Sequence, residues 1–378
     1  MRNTTTIGLL LGALTVAACG GEEPQVKAPE TTAASVNTTP APVAPPPVEA
    51  PPPPKPTLAE LQMKAGQGMI EGWNSHDAKK IAEFYANDAL VSGPAFPEQK
   101  GKESVTANLA GMFAGIPDIK VAPRFVFMKN EVVVAVIDMV GTHKGDLMGM
   151  PASGKPVGFT VAVAQWFNND GLVKEEHVYV DDGTIAGQVG MSKQKVRSAP
   201  TLGAMTAFAA KNNDAETKNA DLIKTWYGAF EKKSADTFLG SLADGTEWDD
   251  MTMPDTFKGK DHAKKYFAEA TKAFPDSKVT IKNAWGIDEF VVAEVTFAGT
   301  QKGPFMGMKA SNKPVSMDTL DIMRVKDGKV VKGWSFGNSM QVAAQLGLLP
   351  KPGAPAAKPA GKPAAPAGKP ATPAPKKK

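Results

Sequence analysis

Apolar positions change period along the chain, and they do so twice in the same order. From Leu58 to Trp73 they recur at helical spacing, with Thr57 placed to cap the start. A second helix follows His76-Asp77, where Asp77 is the better cap, and a third spans Lys102 to Ala114. The period then falls to that of extended chain over Val121–Phe127, Val132–Val140, Val157–Phe167 and Leu172–Val180. Asp170-Gly171 is a hairpin turn between the last two of these runs. A short helix, Thr184–Val189, closes the series. Helices first and antiparallel strands afterwards predict an α+β domain whose helices cover one face of the sheet.

Self-comparison shows the duplication directly. Gly101-Lys102 recurs as Gly259-Lys260, Pro117-Asp118 as Pro275-Asp276, Gly141-Thr142 as Gly299-Thr300, Gly149-Met150 as Gly307-Met308, and Lys155-Pro156-Val157 as Lys313-Pro314-Val315, all at an offset of 158. Asp170-Gly171 and Gln188/Gly190 recur at 157, as Asp327-Gly328 and Gln345/Gly347. Chance matches scatter in offset, whereas a tandem repeat holds it fixed. The expected domains are residues 57–190 and 215–349, joined by a linker over 191–214.

Composition limits what surrounds them. Twelve of the 32 prolines fall in residues 20–56 and eight in 351–378, stretches too poor in large apolar residues to offset their ordering entropy. About 290 residues remain to fold. The last 28 residues hold seven lysines and no acid, so a net charge of +4 becomes −3 for everything before them. A nucleic-acid enzyme carries its basic surface on the folded part, so no nucleic-acid partner is expected. The single cysteine, Cys19, excludes an intrachain disulfide framework and a thiolate-rich metal cluster. No Gly-rich phosphate loop and no His-Glu-x-x-His motif is present.

The amino terminus reads as an address. Arg2 precedes an apolar run of twelve, Ile7 to Ala18, too short for a bilayer span of ~20 residues but suited to a secretory signal. Val16-Ala17-Ala18-Cys19-Gly20 resembles a bacterial lipobox, which implies a signal peptide over 1–18 and a lipid-modified Cys19. The alternative is a free cysteine beside a plain cleavage site. Residues 19–56 form a Pro-rich tether, which at ~3.1 Å per residue reaches roughly 115 Å. The expected location is the bacterial cell envelope, with the outer membrane favoured because no Asp follows Cys19. The tail from residue 350 is either a solvated spacer or an electrostatic contact for anionic envelope polymers.

Trp73-Asn74-Ser75-His76-Asp77, Ile116-Pro117-Asp118, Gly141-Thr142-His143-Lys144-Gly145-Asp146-Leu147-Met148-Gly149-Met150-Pro151 and Asp181 through Gln188-Val189-Gly190 together resemble the SnoaL-like polyketide (ester) cyclases of the nuclear transport factor two-like superfamily. The second copy fits more loosely, through Phe274-Pro275-Asp276, Gly299-Thr300 and Gln345-Leu346-Gly347. The resemblance implies two tandem cones, each a curved antiparallel sheet wrapped by N-terminal helices around an apolar pocket. It also implies an aspartate acting there as general acid/base for ring closure.

Strand alternation places Val173, Glu175, His177, Tyr179 and Asp181 on one face. Their counterparts are Val330, Lys332, Trp334, Phe336 and Asn338. If this face lines the cone, desolvation raises Asp181 toward the range of an acid/base catalyst, with His143 as its neighbour. His177, Tyr179, Met148, Met150, Trp166, Trp334, Phe336 and Asn338 are the expected pocket residues. The alternatives are equally physical: Asp181 or Asp182 as a cap for the helix at Thr184, His143 as an ordinary strand-end residue, and His177 as packing. The Asp and Arg that such cyclases carry in the penultimate strand are kept as Asp321 and Arg324 in copy two, but are Val163 and Trp166 in copy one. Copy two has Gln301 at the position of His143. No spacing signature supports a metal site, and no cofactor is expected. Three functions follow: capture of a small apolar or amphipathic ligand, acid/base catalysis through Asp181, or a non-catalytic envelope scaffold. The two copies can pack as a pseudo-dimer, or the chain as a homodimer.

Overall fold

The computed structural model describes residues 55–94 and 96–349. The expected signal peptide, Cys19, nearly all of the expected tether and the basic tail lie outside these residues. Among the described residues, no helix is long and apolar enough to cross a membrane.

Copy one opens with α1 (Leu58–Ser75) and α2 (Ala78–Ala82). Thr57 and Glu60 close a capping box at the start of α1, and Asp77 accepts from the Lys80 amide to cap α2. There follow β1 (Tyr85–Gly93), β2 (Phe96–Lys100), α3 (Lys102–Gly115), β3 (Lys120–Lys129), β4 (Val132–Thr142), β5 (Pro156–Phe167), β6 (Val173–Tyr179) and α4 (Asp182–Val189). A strand in the linker, β7 (Thr206–Ala209), leads to copy two. That copy comprises α5 (Asp214–Glu231), α6 (Ala235–Gly240), β8 (Leu242–Asp250), β9 (Phe257–Lys258), α7 (Gly259–Ala273), β10 (Lys278–Ile287), β11 (Phe290–Thr300), β12 (Pro314–Lys326), β13 (Lys329–Phe336) and α8 (Ser339–Leu346). The sheets run β2-β1-β6-β5-β4-β3-β7 and β10-β11-β12-β13-β8-β9.

Both sheets are antiparallel except where β1 meets β6, β8 meets β13 and β3 meets β7. The first two strands of each copy escape a reading by alternation because β1 is irregular. Its register slips between Tyr85 and Leu90, around the exposed Asn87 and Asp88. β7 carries one large apolar side chain, Phe208, and so reads as linker. That ring stacks on Phe127 at 5.1 Å and meets Phe290 at 4.5 Å.

Each copy has its own apolar core beneath its helices. In copy one, Val121, Met139, Phe159, Val161, Val163 and Ile185 pack beneath the helices. In copy two, Trp226, Phe230, Phe238 and Phe267 meet Val291, Ala293 and Met323. The outer faces of the two sheets then pack against each other. Phe127, Val134, Ala162 and Tyr179 of copy one share a core with Phe290, Val292, Ile322, Trp334 and Phe336 of copy two. The two copies are thus fused sheet to sheet within one chain.

Candidate functional site

The face expected to line the cone lies on the opposite side of the sheet. Trp166 pairs with Glu175 but Phe167 pairs with Val173, so Lys174 is an extra residue in β6. A β-bulge of this kind reverses which side chains face which way. Val173 stays among the cone residues. Beyond the bulge, Val178 and Val180 face the cone, and Tyr179 enters the core between the sheets. Copy two repeats the device, with Val331 as the extra residue between Arg324↔Lys332 and Val325↔Val330.

His177, Tyr179, Trp166, Trp334 and Phe336 are therefore interface residues, not pocket residues. His177 Nδ1 lies 2.8 Å from Glu294 Oε1, the Tyr179 hydroxyl donates to the same oxygen at 2.9 Å, and Asn283 donates to Glu294 Oε2 at 2.7 Å. The Trp166 ring sits edge-on to His177 and 5.8 Å from Trp285. Tyr179 is buried, and desolvation followed by the Glu294 charge pushes its phenol upward.

Asp181 is buried, but as a cap. Its Oδ2 accepts from the Thr184 amide at 2.8 Å and hydroxyl at 2.7 Å. Its Oδ1 accepts from the Gly183 amide at 3.3 Å, and from the Ser339 amide and hydroxyl of copy two at 2.8 and 2.6 Å. Asn338 does the same for α8, accepting from Met340 and Gln341, and its amide donates to Asp182 at 2.9 Å. Asp181 and Asn338 thus cap their own helices and tie the two copies together. His143 is fully buried with Nδ1 3.0 Å from Ser153 Oγ. It is not among the partners of Asp181. Met150 packs inside cone one, whereas Met148 is exposed at the tip of its turn. Arg324 turns outward to Glu289. Among the described residues no group of three or more His, Cys, Asp or Glu converges as a metal site.

The ionisable groups inside the cones are different ones. In copy one Glu176 is buried, accepts from the Tyr85 hydroxyl at 2.7 Å, and is also bonded by Gln165 Nε2. Burial raises its pKa against the lowering effect of those two donors. In copy two Asp321 is buried on β12 and accepts from the Tyr227 hydroxyl. Desolvation pushes it up to about 6. Among the described residues its Oδ1 has no partner, and neither do the Trp226 indole Nε1 and the Thr246 hydroxyl, also buried in this copy. Trp226 stacks on Trp248 at 5.0 Å and meets Tyr227 edge-on at 4.9 Å.

Tyr85, Gln165 and Glu176, and Trp226, Tyr227 and Thr246, are absent from the sequence-derived site. The signal for Gln165 and Asp321 was present: Gln165 is a lone polar residue in the inward alternation of its strand, beside Val163 and Phe167, and Asp321 is the one ionisable residue in its own, between Thr319 and Met323. Glu176 carried no such signal because the bulge hid its face.

The model of the SnoaL-like polyketide cyclase family matches residues 64–189 and again 220–346, more than half of the chain. The chain belongs to this family, with two such domains in tandem. Domains of this kind commonly bind small molecules, and the function class they bring is ligand binding or cyclase- or isomerase-type chemistry. No curated protein matches the chain. Among solved structures it is similar to AclR of Streptomyces galilaeus, at 22% identity and a TM-score of 0.33 over 36% of this chain and 99% of that one. A SnoaL-like protein of Jannaschia sp. CCS1 matches at 20% identity and 0.34 over 37% and 99%. IdmH of Streptomyces antibioticus matches at 24% and 0.31 over 34% and 98%.

Proposed function

We propose that this chain is a lipid-anchored envelope protein whose fused cones bind a small apolar or amphipathic molecule, and that cone two is the principal binding site. The observation that carries the second part is three of the buried polar atoms of copy two that lack partners among the described residues, Asp321 Oδ1, Trp226 Nε1 and Thr246 Oγ1, the others belonging to Gln301 and Gln341. Leaving a buried polar group unpaired costs about 1–3 kcal/mol. An apolar ligand with a carbonyl or hydroxyl group would satisfy such a donor and acceptor. The aromatic walls would supply the apolar contact.

One feature favours catalysis as a second reading. A carboxyl near 6 changes protonation close to neutral pH, which suits an acid/base residue acting on an acidic C–H or a carbonyl oxygen. Tyr227 would orient it. In this reading Asp321 takes the role first expected of Asp181.

The lipid anchor rests on Val16-Ala17-Ala18-Cys19. Cys19→Ala is expected to move the protein from the membrane fraction to the soluble one and to abolish palmitate labelling. Binding is tested by native mass spectrometry of the full chain purified from its own host, together with tryptophan fluorescence during titration with apolar probes, compared between the wild type and Trp226→Phe. The expected result is a bound small molecule that dissociates on denaturation. Probe affinity should fall at least about tenfold in Asp321→Ala, the loss expected for one buried hydrogen bond to a charged group, and stay unchanged in Asp181→Asn. No adduct and no saturable fluorescence change would leave only the scaffold reading.

A further inference from the structure

The two copies carry equivalent grooves where the penultimate strand starts beside the closing helix, and only one of them is crossed by a described segment. In copy one the linker lies across the groove. A methyl group added to Gly158 would stand 2.4 Å from Ala199 Cβ and 3.1 Å from Pro200 Cδ, so backbone and strap are in close contact there. Gln188 holds the strap in place. Its side chain accepts from the Gly158 amide at 2.9 Å, and its Nε2 donates to the Gly158 carbonyl at 2.8 Å and the Arg197 carbonyl at 3.0 Å.

Copy two reproduces the anchor. Gln345 accepts from the Ser316 amide at 2.7 Å and donates to the Ser316 carbonyl at 2.8 Å. Among the described residues, its amide has no third partner equivalent to Arg197. The groove beside it is a cleft of about 590 Å³ lined by Ala298, Gly299, Pro314, Val315, Ser316 and Gln345 among others. Ser316 and Ala344 stand where copy one has Gly158 and Gly187, which raises the floor and restricts the cleft to small side chains and proline.

Chain length supplies the occupant. Arg197–Pro200 lie seven to ten positions beyond Gly190, the residue that ends α4 in left-handed conformation. Gly347 ends α8 in the same way, and the same interval beyond it gives Ala354-Pro355-Ala356-Ala357. We propose that this groove is the docking site of the chain's own Ala354–Ala357, laid across copy two as Arg197–Pro200 is laid across copy one. An Ala-Pro segment in polyproline conformation has no internal hydrogen bonds and points its carbonyls outward, which matches the single donor that Gln345 offers. The tether from Leu349 is short, so the local concentration is of millimolar order and a weak intrinsic affinity is enough. Docking fixes where the lysines from Lys358 onward begin, at the rim of copy two.

The test uses the full chain with Cys19→Ser and Ala356→Cys, the new thiol carrying a nitroxide. Amide signals of Gly299, Val315 and Ser316 are expected to broaden selectively, while Gly141 and Val157, their counterparts under the linker, stay sharp. Ser316→Trp, which fills the cleft, should abolish the broadening with the copy-one signals unmoved. Absent or evenly spread broadening, or broadening centred on the open edge of β10, overturns the proposal. So does broadening that appears only between labelled and unlabelled molecules in a mixed sample, since the occupant would then be a second copy's tail.

Discussion

Asp321 and Asp181 show how differently two buried aspartates are used. Asp181 meets five donors across two helix ends, whereas Asp321 meets a tyrosine hydroxyl and has one oxygen without a partner among the described residues. Burial holds Asp321 at about 6 against 3.8 for a free aspartate. A raised carboxyl weighs against folding wherever the unfolded chain is ionised. The penalty is absent below pH 3.8, grows through the interval, and is complete above about 6. The difference corresponds to roughly 3 kcal/mol at neutral pH. Asp321→Asn should therefore stabilise the protein by an amount of that order at about pH 7.5 and by almost nothing at about pH 3.5, as read from urea midpoints, while weakening probe binding. Equal gains at both pH values would mean that the asparagine improves packing and that the carboxyl is not held uncharged by its surroundings. A residue that destabilises the fold and improves binding is what a functional site selects.

At the scale of elements, the difference between the expected and the observed site comes down to Lys174 and Val331. The helix spacing of Leu58–Trp73, the caps at Thr57 and Asp77 and the long runs of β4 and β5 were legible because each follows a single period without interruption. The bulges were not, since one extra residue in an alternating strand leaves the sequence looking regular while it turns His177 and Tyr179 from one side of the sheet to the other. The family resemblance named the cone correctly, but position 181 lies at the end of a strand, where capping chemistry and pocket chemistry call for the same residue. The repeated Pro-Asp and Gly-Thr pairs have a structural reason too. Asp118 accepts from the Thr142 amide at 2.7 Å and Asp276 from the Thr300 amide at 2.8 Å, pinning the helix-to-strand turn onto the next strand. Helix caps such as Asp181 and Asn338 contribute about 0.5–2 kcal/mol. Asp181→Ala strands donors on two helices and should cost about 2 kcal/mol, near the upper end of that range; Asn338→Ala should cost about 1 kcal/mol. Denaturant titration of the full chain measures both. A near-zero cost for Asp181→Ala with loss of probe binding would return that carboxyl to the site.

For the whole molecule, the buried polar cluster between the sheets determines how firmly the two copies hold together. Besides the ties of Asp181 and Asn338 at the helix ends, the apolar core between the sheets holds Glu294, which is fully buried and faces His177, Tyr179 and Asn283. The counterpart of Glu294 in copy one is Val136, so the cluster is asymmetric and its charge is answered from one side. Burial alone lowers the His177 pKa, but the hydrogen bond and charge of Glu294, followed by Glu175, outweigh it and leave the imidazole raised above 6.5. A raised histidine contributes stability that is fully present below its unfolded value and is lost as pH rises through the folded one. The sheets should therefore grip most firmly under mildly acidic conditions and loosen as pH climbs beyond 6.5. This window is distinct from that of Asp321, whose penalty is already complete at about 6. Melting temperatures of the full chain at about pH 6 and about pH 8.5 should fall between the two for the wild type. In His177→Gln, which keeps a donor for Glu294 but cannot titrate, that fall should largely disappear. A parallel decline in both proteins would place the pH dependence on a group other than His177.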